Sequence, residues 1–269
     1  MPQEMIKNNF IEESCFTIFL QIIHSLLDFF MYISLKLTSL RRKLLFQHQH
    51  MKDDVFYVEK NSTAYLSKIP KHIALAFIEP TFSLDDVAKL VFWAIASGST
   101  NVSLYDYKGF MKLHQIELLN KLAKFHKFIN LRNDFKLKWN DNSQNIELNG
   151  NGSKSNDSQV INICLLSKND GKADIVKAAQ SLAQRVADGY IEVQNVDEPL
   201  LSNALSTNHG LPDPELLIRF GLAHSNVGFP PWQIRLSEIH DIDTHHGVDV
   251  QDFFQILLKY SKCEQRFGR

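Results

Sequence analysis

Short, unbroken apolar runs alternate along this chain with longer stretches of helical periodicity, and few folds accept that pattern. Ile73 to Ile78 (IALAFI) is apolar throughout, as a strand buried on both faces must be. Ser83 with Asp86 three residues on gives a capping-box-like helix start, and Leu84, Val87, Ala88, Val91, Ala94 and Ile95 follow at helical spacing up to Gly98. Val102 to Tyr105 reads as the next strand. Leu113 to Phe128 reads as an amphipathic helix with Leu113, Ile116, Leu119, Leu122 and Ala123 on its apolar face. The alternation resumes with a strand at Val160 to Leu166 and a helix at Asp174 to Ala187, whose inner side carries Ile175, Ala178, Ala179, Leu182 and Val186. A strand at Leu216 to Phe220 and a last helix at Asp249 to Cys263, capped by Asp249 with Asp252, complete it. Parallel strands need long crossovers, which helices of this length supply. The expected class is α/β, a mostly parallel central sheet flanked by helices.

Three segments are expected: an amino-terminal hydrophobic, membrane-associated helix with a basic flank (1–45), a tether (46–65) and the α/β domain (66–269). Within the domain, residues 140–159 (NDNSQNIELNGNGSKSNDSQ) offer almost nothing to bury and read as a flexible insertion. Cys15 to Leu35 as a helix would extend roughly 31 Å, about one hydrocarbon core. Its Leu, Ile and Phe residues favour insertion by roughly 4 to 7 kcal/mol, whereas Asp28 alone opposes by about 2.5 to 3.5. Gln21, His24, Ser25 and Asp28 share one helical stripe, so both a spanning helix and an in-plane one stand. Lys36, Arg41, Arg42 and Lys43 follow the stretch, and Glu4, Glu12 and Glu13 outweigh Lys7 before it. The positive-inside rule then puts everything beyond Leu35 in the cytosol.

Lysine plus arginine (29) and aspartate plus glutamate (30) nearly cancel. That balance excludes general nucleic-acid coating, which needs a basic excess. The three cysteines, Cys15, Cys164 and Cys263, have neither disulfide-framework nor zinc spacing, which fits a reducing compartment. No phosphate-binding glycine loop and no GxSxG elbow occurs. His240, Asp241, Asp243, His245 and His246 could ligate a metal, but nothing fixes a tetrahedral geometry, and a solvated polar loop is the preferred reading. His48 and His50 carry still less.

Three stretches are more specific: Leu211–Ile239 (LPDPELLIRFGLAHSNVGFPPWQIRLSEI), Asp170–Gln180 (DGKADIVKAAQ) and the terminal CEQRFGR. Together with IPKHIALAF and NVSLYDYKG they resemble the cis-prenyltransferase family over roughly Ile69 to Arg269. More narrowly the chain is similar to the accessory branch, the Nogo-B receptor type subunits of dehydrodolichyl diphosphate synthase. Departures from the catalytic branch point that way. Where catalytic members carry Asp-Gly-Asn-Arg after the first strand, this chain has Ile78-Glu79-Pro80-Thr81, and a proline lacks the N–H that a phosphate cradle needs. Where they carry Phe-Ser-x-Glu-Asn, it has Tyr105-Asp106-Tyr107-Lys108-Gly109, and Ser225-Asn226 is preceded by Ala223-His224 rather than by an arginine.

Arg266-Phe267-Gly268 matches the family's Arg-x-Gly terminus. The resemblance implies that Arg266 and Gly268 contribute to catalysis across a dimer interface, with Arg266, Phe267 and Gly268 binding isopentenyl diphosphate in the partner's site. An arginine fork suits diphosphate oxygens and glycine permits close approach. Arg219, Ser225, Asn226, Arg235 and Glu238 match substrate- or interface-facing positions, with structural roles equally open, and Phe229 and Trp232 read as core or interface anchors. The implied function is a non-catalytic but required subunit of a heterodimer or higher heteromer. Its catalytic partner condenses isopentenyl diphosphate onto farnesyl diphosphate and holds Mg2+, with no metal site in this chain. The implied location is the endoplasmic reticulum membrane, with the globular domain cytosolic. A membrane receptor or scaffold that binds a protein or lipid without chemistry stays open as the alternative.

Overall fold

The computed structural model describes residues 20–33, 37, 51–128, 135–140, 147–148, 159–205 and 211–264. The chain divides into two units, residues 1–47 and 48–269. In the first, residues 20–33 form helix α1, with Leu26, Leu27, Phe29, Phe30 and Tyr32 exposed. Among the described residues no helix is long and apolar enough to cross a membrane. Residues 15–19 and 34–35, the two ends of the expected apolar helix, lie outside the described residues.

The second unit is built on a seven-stranded sheet. Its strands are β1 (His72–Phe77), β2 (Asn101–Asp106), β3 (Phe135–Asn140), β4 (Glu147–Leu148), β5 (Gln159–Leu166), β6 (Leu216–Phe220) and β7 (Glu238–Ile242). The spatial order is β4-β3-β5-β2-β1-β6-β7, parallel throughout except for the β3–β4 pair. The helices are α2 (Met51–Tyr65), α3 (Leu84–Ala96), α4 (Phe110–Leu113), α5 (Gln115–Phe128), α6 (Lys172–Ala187), α7 (Glu198–Ala204) and α8 (Val250–Lys262). All six β1 residues are buried, as the apolar run demands. Alternation along that strand sends Ile73, Leu75 and Phe77 into a large core with α2, α3, α5 and α8. Ala74 and Ala76 face the other way, into a smaller core with Tyr105, Cys164, Leu217, Phe229 and Ile234.

Four expectations are corrected. The tether expected at 46–65 contains α2, whose Val55, Val58 and Ser62 are buried; its polar residues hide a narrow apolar stripe. The helix expected from Leu113 to Phe128 is two helices broken at His114. That break resets the helical phase, so Leu118, Leu119 and Leu122 point inward while Leu113 and Ile116 are exposed. On α6, Ala179 is exposed and Asp174 takes an inward place. The insertion expected at 140–159 contributes β4, paired with β3, and the first residue of β5; residues 141–146 and 149–158 lie outside the described residues.

Candidate functional site

Parallel strands gather their carboxyl ends at one edge, where open α/β sheets place ligands. Here that edge brings together Glu79 after β1, Arg219 near the end of β6, and His245 after β7. Expected as part of a solvated loop, His245 is wholly buried, and the Glu79 side chain is only 8% exposed. The Glu79 carboxylate accepts from the Thr244 hydroxyl at 3.2 Å, from the His245 backbone N–H at 3.2 Å and from His245 Nδ1 at 2.5 Å.

The proton on that ring can be placed by partner chemistry. Ser83 caps α3 as expected, its Oγ accepting from Asp86 N–H at 3.3 Å. In a full capping box the Asp86 carboxylate would accept the Ser83 N–H in return. Instead the Ser83 N–H donates to His245 Nε2 at 2.9 Å. An amide N–H can only donate, so Nε2 is unprotonated and Nδ1 carries the hydrogen directed at Glu79. One imidazole thus ties the start of α3 to the end of β1. Aromatic rings fill the space around it: Phe77 lies edge-on to His245 at 5.2 Å, and Phe82 stacks on Phe110 at 5.0 Å. Beside it, His246 Nε2 lies 3.1 Å from Thr81 Oγ1, and burial together with its histidine neighbour lowers the His246 pKa.

Donor atoms of Glu79, His245 and His246 lie within 4.8 Å of one another, close enough to suggest a metal centre. The chemistry does not fit one. Magnesium takes oxygen ligands in a near-octahedral shell and keeps several waters. Glu79 is the cluster's one carboxylate, and both its oxygens already accept hydrogen bonds from the protein. Zinc accepts imidazole, but a metal on His245 Nδ1 would need a proton on Nε2 donated outward to an acceptor. The group facing Nε2 is itself a donor. The cluster is a structural tie.

Arg219 is equally committed. Its Nε and one terminal nitrogen reach the two Asp241 oxygens at 2.6 and 2.9 Å, and its other terminal nitrogen donates to Asn226 Oδ1 at 3.1 Å. That guanidinium holds the Asp241 carboxyl below the usual carboxylate range. An internal carboxylate therefore occupies the fork that could clamp a diphosphate. Farther along the β6–β7 connection, Arg235 stacks over Trp232 at 4.5 Å and pairs with Glu198 at 2.6 Å. Trp232 Nε1 donates to Ser202 at 2.8 Å, which knots this connection to α7. Phe229 is buried against Tyr105, ring centroids 5.1 Å apart. Ser225 is exposed.

Between these lies a strained turn. Val227 has φ 38°, a left-handed conformation that a β-branched residue adopts only when held. The Tyr105 hydroxyl donates to its carbonyl at 2.6 Å. Gly171 lies directly beneath: a Cβ there would meet the Gly228 carbonyl oxygen at 2.5 Å, so no other residue fits without movement.

Glu238, the first residue of β7, accepts from Cys263 Sγ at 3.4 Å at the opposite edge of the sheet. Arg266, Phe267 and Gly268 lie outside the described residues. Reading the sequence missed the Glu79–His245 pair, because its partners stand 166 residues apart and only the β1–β6–β7 order joins them.

The undecaprenyl diphosphate synthase family model matches residues 79–268. The dehydrodolichyl diphosphate synthase complex subunit Nus1 of Mus musculus is 38% identical over 212 residues, covering 76% of this chain and 67% of its own length. The Homo sapiens subunit of the same name is also 38% identical, with 68% of its length covered. Among solved structures, lavandulyl diphosphate synthase from Lavandula x intermedia superposes with a TM-score of 0.54 at 16% identity, covering 74% of this chain and 98% of that one. The fold just described, the span of the match and the identity to these relatives lead to one assignment: the chain belongs to the undecaprenyl diphosphate synthase, or cis-prenyltransferase, family.

Proposed function

We propose that this chain is the accessory subunit of a heteromeric cis-prenyltransferase of the dehydrodolichyl diphosphate synthase type. Its catalytic partner condenses isopentenyl diphosphate onto farnesyl diphosphate, making the long-chain polyprenyl diphosphate from which dolichol for protein glycosylation is derived. One observation carries the reading. At the sheet edge where open α/β folds gather their ligands, Glu79 and Arg219 are both held by internal partners. A carboxylate and a guanidinium committed in this way serve neither magnesium nor a diphosphate, so the partner holds the metal.

This chain's own contribution is its terminus. Arg266 forms charge-assisted, forked hydrogen bonds to the diphosphate of isopentenyl diphosphate, and Gly268 lets the backbone approach it. The position of α8 supports action on the partner. Cys263 sits at the amino edge of the sheet, against the first residue of β7. From Cys263 to Arg266 the main chain spans at most about 11 Å, whereas the run from His72 to Ile78 toward Glu79 is about 20 Å. The amino-terminal helix holds the subunit at the endoplasmic reticulum membrane with the α/β domain in the cytosol.

The test is prenyl transfer by each subunit alone and by the co-purified pair. The isolated chain is expected to be inactive and the pair active. Truncation after Gln265, or Arg266→Ala, should leave assembly intact and remove charge-assisted hydrogen bonds each worth about 1.5–3 kcal/mol; losing that much is roughly 10- to 150-fold in kcat/KM. Arg266→Lys recovers part of the loss, since a point charge lacks the fork. Turnover by the isolated chain, or wild-type kinetics of the truncated pair, overturns the proposal.

A further inference from the structure

Two large aliphatic side chains stand in water where helical periodicity would seat them in the core. Leu113 is 81% exposed and Ile116 69%. The local structure holds them there. Gly109, with φ 73°, turns the chain off β2, and the buried Asp106 carboxylate accepts the Phe110 N–H at 2.6 Å and the Met111 N–H at 3.0 Å. Met111 is wholly buried, and Phe110 stacks on the rings of Phe82 and His114, with centroids 5.0 and 4.0 Å away. With α4 fixed in rotation, Leu113 cannot turn inward without unseating Met111. From Ile116 the outward face continues at four-residue spacing through Asn120 to Lys124, both exposed. Cations border this surface. Lys108 is exposed at its start, and the exposed Lys168 arrives from the end of β5 to lie over Tyr107, its Nζ 5.1 Å from the ring centroid. The acidic side chains of these two segments face lysines of their own: Asp170 pairs with Lys112 at 2.6 Å, and Glu117 lies 3.8 Å from Lys121.

We propose that this patch is a contact with an anionic bilayer surface, with Leu113 and Ile116 entering the acyl boundary and Lys108, Lys124 and Lys168 among the headgroups. The inference rests on the membrane placement proposed above and adds a second contact, made by the α/β domain itself. Aliphatic tips beside a tyrosine and lysines match the layering of a bilayer: apolar atoms leave water, an aromatic ring sits at headgroup level, and lysine stems reach back to phosphates. Size separates this occupant from a protein. Two aliphatic side chains and a tyrosine offer a few hundred Å² at most, against about 800 Å² per partner in a stable protein interface. A bilayer asks less of a tethered domain, because the second contact then forms at high effective concentration. Charge separates the patch from another exposed aliphatic: Val193, 73% exposed, stands beside Glu192 with Asp197 four residues on, a setting that anionic headgroups repel. A domain touching the bilayer at its own surface is oriented as well as anchored, which suits a complex whose polyprenyl product partitions into lipid.

The test uses the full-length chain with Cys15, Cys164 and Cys263 replaced by alanine and one environment-sensitive fluorophore on Leu113→Cys, Ile116→Cys or, as control, Val193→Cys. Each is mixed with phosphatidylcholine vesicles, with and without phosphatidylserine, whose acyl chains carry bromine as a contact quencher. Labels at 113 and 116 should shift to the blue and be quenched, more strongly with phosphatidylserine and less in high salt, while the label at 193 stays bright. Lys108→Gln and Lys168→Gln should each lower the ratio of contacting to free patch about fivefold. Leu113→Asn, read from the label at 116, should lower it roughly tenfold. If the chain floats with the vesicles yet 113 and 116 stay unquenched, the contact is wrong and the membrane placement survives. If the chain does not float at all, the membrane placement fails and the contact falls with it. Equal quenching at 193 shows indiscriminate adsorption and overturns the assignment. So does a blue shift at 113 produced by the catalytic subunit without vesicles, because a protein then covers the patch.

Discussion

Replacing Glu79 with glutamine tests the reading of the β1 edge most directly, because it removes the charge and keeps the shape. The glutamine carbonyl oxygen can replace only one of two carboxylate oxygens that together accept three hydrogen bonds. If it takes the His245 Nδ1–H, the new amide group faces the His245 backbone N–H, a donor against a donor. If it turns over, the amide opposes Nδ1–H, and reprotonating the ring on Nε2 only moves the conflict to the Ser83 N–H. Every arrangement leaves one buried donor unsatisfied, at a cost of about 1–3 kcal/mol. For a domain of this size, that lowers the melting temperature by roughly 2–12 °C. His245→Ala should do more, about 3–5 kcal/mol, since it strands the Glu79 carboxylate and opens a hole against Phe77 and Phe82. The assays are thermal unfolding of the full chain and amide hydrogen exchange at Ser83, whose N–H loses protection in the alanine variant. On the structural-tie reading of Glu79, the assembled pair carrying Glu79→Gln should turn over at the wild-type rate. A variant that melts like wild type, or one that assembles fully yet loses prenyl transfer, refutes the structural-tie reasoning.

Burial lowers the His72 pKa to about 4, while an unfolded histidine titrates near 6.5. Between those values the unfolded chain binds a proton that the folded chain does not, so the stability present above pH 6.5 declines by about 3 kcal/mol toward pH 4. His72→Gln should flatten that window in denaturant titrations, and an equally steep decline would assign it elsewhere. Tyr105→Phe removes the hydrogen bond to the strained Val227 carbonyl and should cost about 1 kcal/mol, read from the urea midpoint. Adding Val227→Gly should recover part of it, since glycine adopts that φ freely. Asn151-Gly152-Ser153 and Asn156-Asp157-Ser158 are glycosylation sequons, expected to stay unmodified in a cytosolic domain; an endoglycosidase-sensitive mass shift there would reverse the orientation.

The sequence exposes what depends on local periodicity and conceals what depends on which strands become neighbours. IALAFI could hardly be anything but a central strand, and it is one, with every residue buried. The Ser83 cap was legible because its partner amide lies three residues away. Its second partner was not, since His245 arrives from the far side of β6. The strand Glu238–Ile242 escaped notice because an edge strand needs no continuous apolar run, and its glutamate, histidine and aspartate read as loop. On α6 the buried Asp174 stands where periodicity alone would seat an apolar residue.

The carboxyl edge of the sheet is tied together for a physical reason. A largely buried carboxylate or guanidinium must find an opposite charge or a full set of hydrogen bonds, or the fold bears its desolvation. At the carboxyl edge Glu79 finds Thr244 and His245, and Arg219 finds Asp241 and Asn226. Both groups act as struts of the fold, each committed to partners within the chain. Changes at Glu79 and His245 should therefore move the melting curve and spare turnover, whereas Arg266→Ala should spare the melting curve and lower turnover of the pair. A common effect of both would mean that fold stability and the terminal contribution are inseparable and that the separation of roles is false.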